Sequence, residues 1–171
     1  MPATPSQHHR HPGDGWVRCG DHRHWGLHGA AGLFLVRRGP APDGRTDGPV
    51  TAVVLQHRAA WSHEGGTWGI PGGALAPGES AVAGAQREAA EEAGLDRVHL
   101  RVLGEHLLDH GSWSYTTVVA DVRPGTGVEP AATDAESIAV RWVPVAEIAG
   151  LPLHPAFAAA LDDLFAIASP P

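Results

Sequence analysis

The stretch Gly73–Leu95, GALAPGESAVAGAQREAAEEAGL, decides how the middle of this chain folds. It predicts a helix over Ser80–Ala93, because Ser80 suits an N-cap and Gly94 suits the left-handed position that ends a helix. Leu95 supplies the apolar residue that often follows such a glycine. The residues before the helix are rich in glycine and proline, so the whole stretch is predicted to form a loop, a helix and a second loop.

Three carboxylates are predicted to lie on one face of this helix. Glu88, Glu91 and Glu92 are separated by three and four residues, which places them side by side and makes them repel one another. Hard divalent cations relieve such repulsion through oxygen ligands, whereas the alternative is an ordinary solvated acidic face. Arg87 lies beside the cluster and Glu79 just before the helix, so an Arg–Glu ion pair could brace the loop onto the helix.

The spacing of these residues resembles the signature of the Nudix hydrolase family, G-x5-E-x7-R-E-U-x-E-E-x-G-U, in which U is apolar. Every fixed position is matched between Gly73 and Leu95. With this chain's composition, an accidental match has odds on the order of one in a million. The segments Trp68–Gly73 and Arg141–Pro144 are also similar to parts of the family, so the resemblance covers roughly residues 26–168.

This resemblance implies a fold, an activity and a site. The fold is an α/β/α sandwich, an α+β architecture with a mixed β-sheet flanked by helices. The activity is hydrolysis of a phosphoanhydride bond in a nucleoside diphosphate linked to another moiety. By position, the metal ligands for Mg²⁺ or Mn²⁺ would be the backbone carbonyl of Gly73 and the side chains of Glu88, Glu91 and Glu92. Glu79 and Arg87 would support the site.

A general base is also required, because a water molecule must lose a proton as it attacks phosphorus. The predicted catalytic carboxylates are Glu92, Glu91 and Glu136. Glu136 is chosen because it lies in a loop shortly before Arg141–Pro144, and the alternative is a surface loop residue without a catalytic role. The other carboxylates outside the signature that could serve are Glu105, Glu129 and Asp134.

Markers of particular Nudix branches favour one substrate class by elimination. The region around Asp109–Ser112 lacks the proline common in relatives that act on ADP-ribose, and Tyr115 is late for the tyrosine of dinucleoside polyphosphate hydrolases. The favoured reading is therefore a nucleoside triphosphate pyrophosphohydrolase. An ADP-ribose or nucleotide-sugar pyrophosphatase is the alternative, and a non-catalytic nucleotide sensor is the alternative of another class. Trp68, Trp113 and Trp142 could stack on a base, although strand aromatics more often belong to the core.

Apolar runs on either side of the signature predict the rest of the domain. The predicted strands are Gly29–Arg38, Val50–Arg58, Arg101–Leu108, Ser114–Val122 and Ile138–Val143. The first two would form a hairpin with a long tip, and residues 68–73 would be extended. Apolar residues at helical spacing predict a C-terminal helix over Pro155–Ala168. Residues 1–25 are predicted to be a flexible polar segment, and residues 26–168 the Nudix domain.

Composition limits the partners. The 171 residues carry 19 acidic and 12 basic side chains, for a net charge of −7, and all the basic residues are arginine. Without a basic run, the chain is a poor candidate for nucleic-acid binding, yet carboxylates that recruit cations allow a small nucleotide substrate. No apolar run approaches the length of a membrane span, and no secretory signal is recognisable, so a cytoplasmic protein is expected. The sequence is also compatible with a homodimer, although it identifies no interface.

The only cysteine belongs to a histidine-rich stretch. Cys19, His22 and His24, with His28 nearby, could bind zinc, since thiolate and imidazole suit that metal. Their spacing is not that of a standard zinc finger. The alternative is a polar lead-in whose Trp16 and Trp25 pack on the domain.

Overall fold

The computed structural model describes residues 11–40 and 47–169. The strands are β1 Trp16–Cys19, β2 His22–Trp25, β3 Ala30–Arg38, β4 Val50–Arg58, β5 Trp68–Gly69, β6 Gly72–Ala74, β7 Leu100–Asp109, β8 Ser114–Val122 and β9 Ser137–Pro144. The helices are α1 Ala81–Ala93, α2 Val145–Ile148 and α3 Pro155–Ala168. The first ten residues of the predicted N-terminal segment, and part of the predicted hairpin tip, lie outside the described residues.

A seven-stranded mixed sheet forms the centre of the domain. Its main path runs β5-β4-β3-β8-β7, with β6 added to β3 and β9 added to β4. The β3–β8 pair is parallel and the other pairs are antiparallel. Strand β3 lies in the middle because its apolar run, AAGLFLV, is buried on both faces.

Helices cover both faces of this sheet. Helix α1 lies over one face, where its small buried residues Ala85, Ala89 and Ala93 recur every fourth position and pack against β3 and β8. On the other face, α3 packs its Phe157 and Leu164 against the sheet. Two apolar cores therefore lie on opposite sides of the sheet, and the predicted α/β/α sandwich with a mixed sheet is confirmed.

The apolar runs gave most of the element positions. Strands β4 and β8 and helix α3 have their predicted bounds, and β3 pairs antiparallel with β4 as the predicted hairpin requires. Ser80 is the N-cap of α1, and Gly94 ends the helix in the left-handed conformation at φ 66°. Within the described residues, no helix is both long enough and apolar enough to span a membrane.

Residues 16–25, the last part of the predicted flexible segment, form an antiparallel hairpin. Strands β1 and β2 pair from Trp16–Trp25 to Cys19–His22, around Gly20 at φ 60°. The hairpin is fastened to the turn after β7, where Trp113 Nε1 donates to the Trp25 carbonyl at 3.2 Å. Long-range contacts of this kind compensate for the low hydrophobicity that suggested a flexible segment. The boundary between the N-terminal segment, residues 1–25, and the domain, residues 26–168, remains a prediction.

Candidate active site

The acidic residues of α1 stand beside its buried face. Glu88 and Glu92 are one turn apart, next to the alanines that pack on the sheet, and the Glu88 side chain is only 13% exposed. Glu91 lies further round the helix and is 60% exposed. The rotation of the helix thus divides the three predicted metal ligands into two half-buried carboxylates and one that faces solvent.

Arg87 joins the helix to the preceding loop. Its guanidinium binds Glu79 in a two-pronged ion pair, with Nε and Nη2 each 2.9 Å from a Glu79 oxygen. Nη1 donates to Glu88 at 2.7 Å and to Glu91 at 3.4 Å, while Nη2 also donates to the Ala74 carbonyl at 3.0 Å. The geometry is that expected for a bracing pair, because a planar guanidinium fits a carboxylate with two parallel hydrogen bonds.

Strand β6 approaches the carboxylates through its glycines. The Gly72 amide donates to Glu92 Oε2 at 3.0 Å. A Cβ atom on Gly73 would lie 2.6 Å from the Glu88 carboxyl group, so that side chain would have to shift to make room for it. The glycine backbone of β6 and the Glu88 and Glu92 carboxylates therefore meet where the resemblance predicts a metal.

Burial and Arg87 shift the pKa values of the site's carboxylates in opposite directions. Burial raises the pKa of Glu88 despite the hydrogen bond from Arg87. Burial, with the charge of Glu88 next in importance, raises the pKa of Glu92 to about 8. In contrast, the Arg87 hydrogen bonds lower the pKa of Glu79. Arg87 is therefore shared among Glu79, Glu88 and Glu91, and the all-oxygen donor set around it fits a hard divalent ion.

A loop before β9 brings further carboxylates to the C-terminal end of α1. The Thr133 hydroxyl donates to the Glu91 carbonyl, and its amide donates to the Glu92 carbonyl at 3.3 Å. Asp134 follows, and its charge contributes to the raised pKa of Glu92. Glu136 is half-buried in the same loop, where its carbonyl accepts from the Ala59 amide at 2.8 Å.

The other carboxylates considered as a base are not drawn into this loop. Glu105 is exposed on the outer strand β7, and Glu129 is exposed in the segment before the loop.

The tryptophans considered for stacking on a nucleobase have partners of their own. Trp68 is buried and stacked on His57, Trp142 lies under the Arg37 guanidinium, and Trp113 is stacked on His24.

The histidine-rich stretch also gathers into a cluster, with one member that the sequence did not reveal. The Cys19, His22 and His24 side chains lie together and His110 joins them, whereas His28 is not a member. His110 lies 91 residues after Cys19, so no local spacing could have linked them. The exposed Trp16 packs edge-to-face on Trp25 with 5.1 Å between ring centroids, so this pair is not buried against the domain.

Comparisons with known proteins agree with this geometry. A sequence model described as the NUDIX domain matches residues 26–165. The chain belongs to the Nudix family. Its relatives include proteins named as pyrophosphatases and diphosphatases.

Two of these Nudix relatives cover nearly the whole chain. The "Nucleoside triphosphate pyrophosphatase/Nudix hydrolase fusion protein" of Bifidobacterium longum is 49% identical over 168 residues, which is 94% of this chain and 34% of that protein. The chain thus spans about a third of that relative's length. The Mycobacterium tuberculosis protein named "Putative 8-oxo-dGTP diphosphatase 3" is 46% identical over 174 residues, which is 96% of this chain and 76% of that protein.

Solved Nudix structures share the fold. The crystal structure of the hydrolase RenU from M. smegmatis matches with a TM-score of 0.76 and 42% identity, covering 91% of this chain and 94% of that one. A Caenorhabditis elegans Ap4A hydrolase matches with a TM-score of 0.58 over 80% of this chain and 92% of its own, at 20% identity. The second likeness shows the fold alone.

Proposed function

We propose that this Nudix hydrolase is a nucleoside triphosphate pyrophosphohydrolase that depends on Mg²⁺ or Mn²⁺. The reaction would hydrolyse a phosphoanhydride bond and release a nucleoside monophosphate and pyrophosphate. The observation that carries the proposal is the excess of partly buried carboxylates around Arg87, next to the glycine backbone of β6. Such a site is selective for a cation, and a cation is what a polyphosphate needs in an acidic protein.

The proposed ligands are Glu88, Glu91 and Glu92 together with the Gly73 carbonyl. A divalent ion held by these residues would supply positive charge that neutralises phosphate and would make an attacking water more acidic. The protein's part is to hold the donors in place. The Gly72 amide orients the Glu92 carboxylate, and the bracing arginine keeps the loop before α1 against the helix.

The proton of the attacking water would pass to a carboxylate of the same site. Glu92 and Glu136 are the proposed acceptors, with Glu91 in support. The short loop that carries Glu136 is hydrogen-bonded to the end of α1 through Thr133, which supports a carboxylate of this loop acting near the bound cation. Asp134 lies in the same loop and is the alternative proton acceptor.

The substrate proposal rests on the relatives. The Bifidobacterium name joins two activities, and this chain matches only a third of that protein, so it carries less weight. The name of the mycobacterial relative points to an oxidised deoxynucleoside triphosphate, and the match covers most of both chains. We therefore propose 8-oxo-dGTP as the first substrate to test, with ADP-ribose and nucleotide sugars as the alternative.

A substrate panel with identification of the products tests this proposal. The purified chain with Mg²⁺ should convert 8-oxo-dGTP, or another nucleoside triphosphate, to the monophosphate and pyrophosphate. Preferential cleavage of ADP-ribose to AMP and ribose 5-phosphate would favour an ADP-ribose pyrophosphatase over a nucleoside triphosphate pyrophosphohydrolase. Stabilisation by a nucleotide without any product would contradict catalysis and favour a sensor. Glu129→Gln, at an exposed position outside the site, is the matched control.

A further inference from the structure

A second group of metal-binding side chains lies away from the carboxylates, where the N-terminal hairpin meets the turn after β7. One ligand atom each from Cys19, His22, His24 and His110 lies within 4.8 Å of the others. Two strands supply three of these residues, and the turn supplies the fourth. In a tetrahedral zinc site with the usual bond lengths, ligand atoms lie about 3.5 Å apart, so a small contraction of the side chains would close this group around an ion.

One nitrogen of the cluster lacks any other partner. Among the described residues, His24 Nε2 is buried and has no hydrogen bond. Its ring is stacked on Trp113 with 4.1 Å between centroids, which restrains the plane of the ring. A buried polar atom without a partner costs free energy, and a metal bond would remove that cost.

The surroundings of the cluster hold its members in place. His22 Nδ1 lies 2.9 Å from Asp21 Oδ1, so its other ring nitrogen is free for a metal, in the carboxylate–histidine arrangement common at zinc sites. The Cys19 thiol lies 3.6 Å from the His110 carbonyl, and the Ser112 hydroxyl donates to the Arg18 carbonyl at 3.3 Å. The two segments are therefore already in contact, both through the Cys19 thiol and through Ser112 and the Arg18 backbone, which are not part of the cluster.

We propose that Cys19, His22, His24 and His110 bind one Zn²⁺ ion. One thiolate and three imidazoles form a soft to borderline donor set that suits zinc, in contrast to the oxygen donors on α1. Since the protein fills all four positions, the site is structural, with no open position for a substrate. The ion would fasten the hairpin to the turn after β7 and stabilise the N-terminal lead-in against the domain.

Cobalt substitution tests the site directly, because Cys19 is the only cysteine in the chain. The full chain, stripped of metal by a chelator and reduced, is titrated with Co²⁺ in excess Mg²⁺. A thiolate-to-cobalt absorption band, with the visible bands of a tetrahedral ion, should saturate at one ion per chain and disappear when Zn²⁺ is added. Cys19→Ser should abolish the thiolate band, and His110→Ala should weaken Zn²⁺ binding at least about 100-fold.

Two controls separate this site from other binding. His28→Ala alters an exposed histidine outside the cluster and should leave Zn²⁺ affinity unchanged. Glu92→Gln alters the carboxylates on α1 and should leave the thiolate band unchanged. Absence of the band in the wild-type chain would overturn the proposal, as would equal Zn²⁺ affinity in the wild type and His110→Ala. Circular dichroism without metal checks that Cys19→Ser and His110→Ala fold.

Discussion

At the scale of single residues, Arg87 has more partners in the site than any other side chain that we describe there. Its guanidinium contacts three carboxylates and the Ala74 carbonyl, and these interactions raise its pKa further above its usual value. A lysine would keep the charge but would lose the two-pronged pair with Glu79. The function of Arg87 in this account is therefore geometric, since it fixes the loop and Glu88 relative to each other.

We predict that Arg87→Lys lowers kcat/KM about 10- to 100-fold, as expected when a group that orients a metal ligand is changed. Glu79→Gln should have a similar effect, because it breaks the same pair. The double variant should lose much less than the product of the two single losses, since the residues act as a unit. Steady-state kinetics on the four proteins measures this, and independent, multiplicative losses would contradict the bracing function.

The base can be assigned by comparing two neighbouring carboxylates. Glu136→Gln is expected to lower kcat at least about 100-fold with little change in KM, because loss of a general base affects the chemical step. Asp134→Asn should have a smaller effect, although its side chain accepts from the Glu136 amide at 3.1 Å and Ser137 Oγ at 3.2 Å. If kcat fell further in Asp134→Asn and stayed near the wild-type value in Glu136→Gln, the proton acceptor would be Asp134.

Sequence reasoning at this scale succeeded where residues are close in the chain. The Glu88, Glu91 and Glu92 cluster and its arginine follow from helical periodicity and a matched signature. The approach of Asp134 to Glu92, and of His110 to the hairpin, depends on how distant segments meet. No spacing rule describes those contacts, because the sheet, rather than the local chain, sets the distances.

At the scale of elements, β6 fits against β3 only because both are built from small residues there. Gly72 pairs with Gly32, and a Cβ on Gly72 would lie 2.6 Å from the Ala31 carbonyl oxygen. The Tyr115 hydroxyl lies over the same two glycines. The close approach places the Gly72 amide within reach of Glu92, so the packing of two strands positions a functional group.

Gly72→Ala is therefore predicted to destabilise the protein by about 1–3 kcal/mol, because the clash is with backbone that cannot move aside. Urea unfolding measures the change. Gly127→Ala is the matched control, since nothing lies within 4 Å of its added Cβ. Equal stability of Gly72→Ala and the wild type would show that β6 does not need this close packing.

An ionic group ties three elements together at one end of the sheet. Asp121 of β8 is 1% exposed and accepts from Arg38 of β3 at 2.9 Å and from Arg101 of β7 at 2.9 and 2.6 Å. Arg38 also donates to the Ala168 carbonyl at the end of α3. Burial alone would raise the pKa of Asp121, but the two arginines outweigh it and hold the pKa below its usual value.

The lowered pKa predicts the direction in which stability changes with pH. The ionised Asp121, held by its two arginines, stabilises the fold above the unfolded pKa of Asp, about 3.9. This stability is lost as the pH falls through the lower pKa of Asp121 in the folded state. Asp121→Asn should lower the free energy of unfolding by about 3–5 kcal/mol at pH 7, and its difference from the wild type should shrink in acid. Urea midpoints across pH measure it, with the exposed Asp162→Asn as control. A constant difference between Asp121→Asn and the wild type down to acid pH would contradict this account.

Elements with a clear period or a continuous apolar run were predictable, and short polar ones were not. The apolar strand β4 and the capped helix α1 follow from local patterns. The hairpin of β1 and β2 has a half-exposed, polar pattern that resembles a flexible segment. It is held by contacts with the turn after β7, which the local sequence does not encode.

At the scale of the whole molecule, the two faces of the sheet have different tasks. The face under α3 holds an apolar core in which Phe34 contacts Phe157 and Phe165. The face under α1 combines an apolar core, which the helix meets through alanines, with half-buried carboxylates at its edge. The net charge of −7 is consistent with this division, because the acidic residues that matter most are gathered at one site.

The central claim is that the carboxylates of α1 hold the cation on which hydrolysis depends, and one titration tests it most directly. Turnover of 8-oxo-dGTP is measured against Mg²⁺ concentration for the wild type, Glu92→Gln and the control Glu129→Gln. The account predicts saturable Mg²⁺ dependence in the wild type and the control, and at least about a 100-fold loss in Glu92→Gln with its fold intact. Full turnover by Glu92→Gln, or wild-type turnover without any divalent ion, would contradict it.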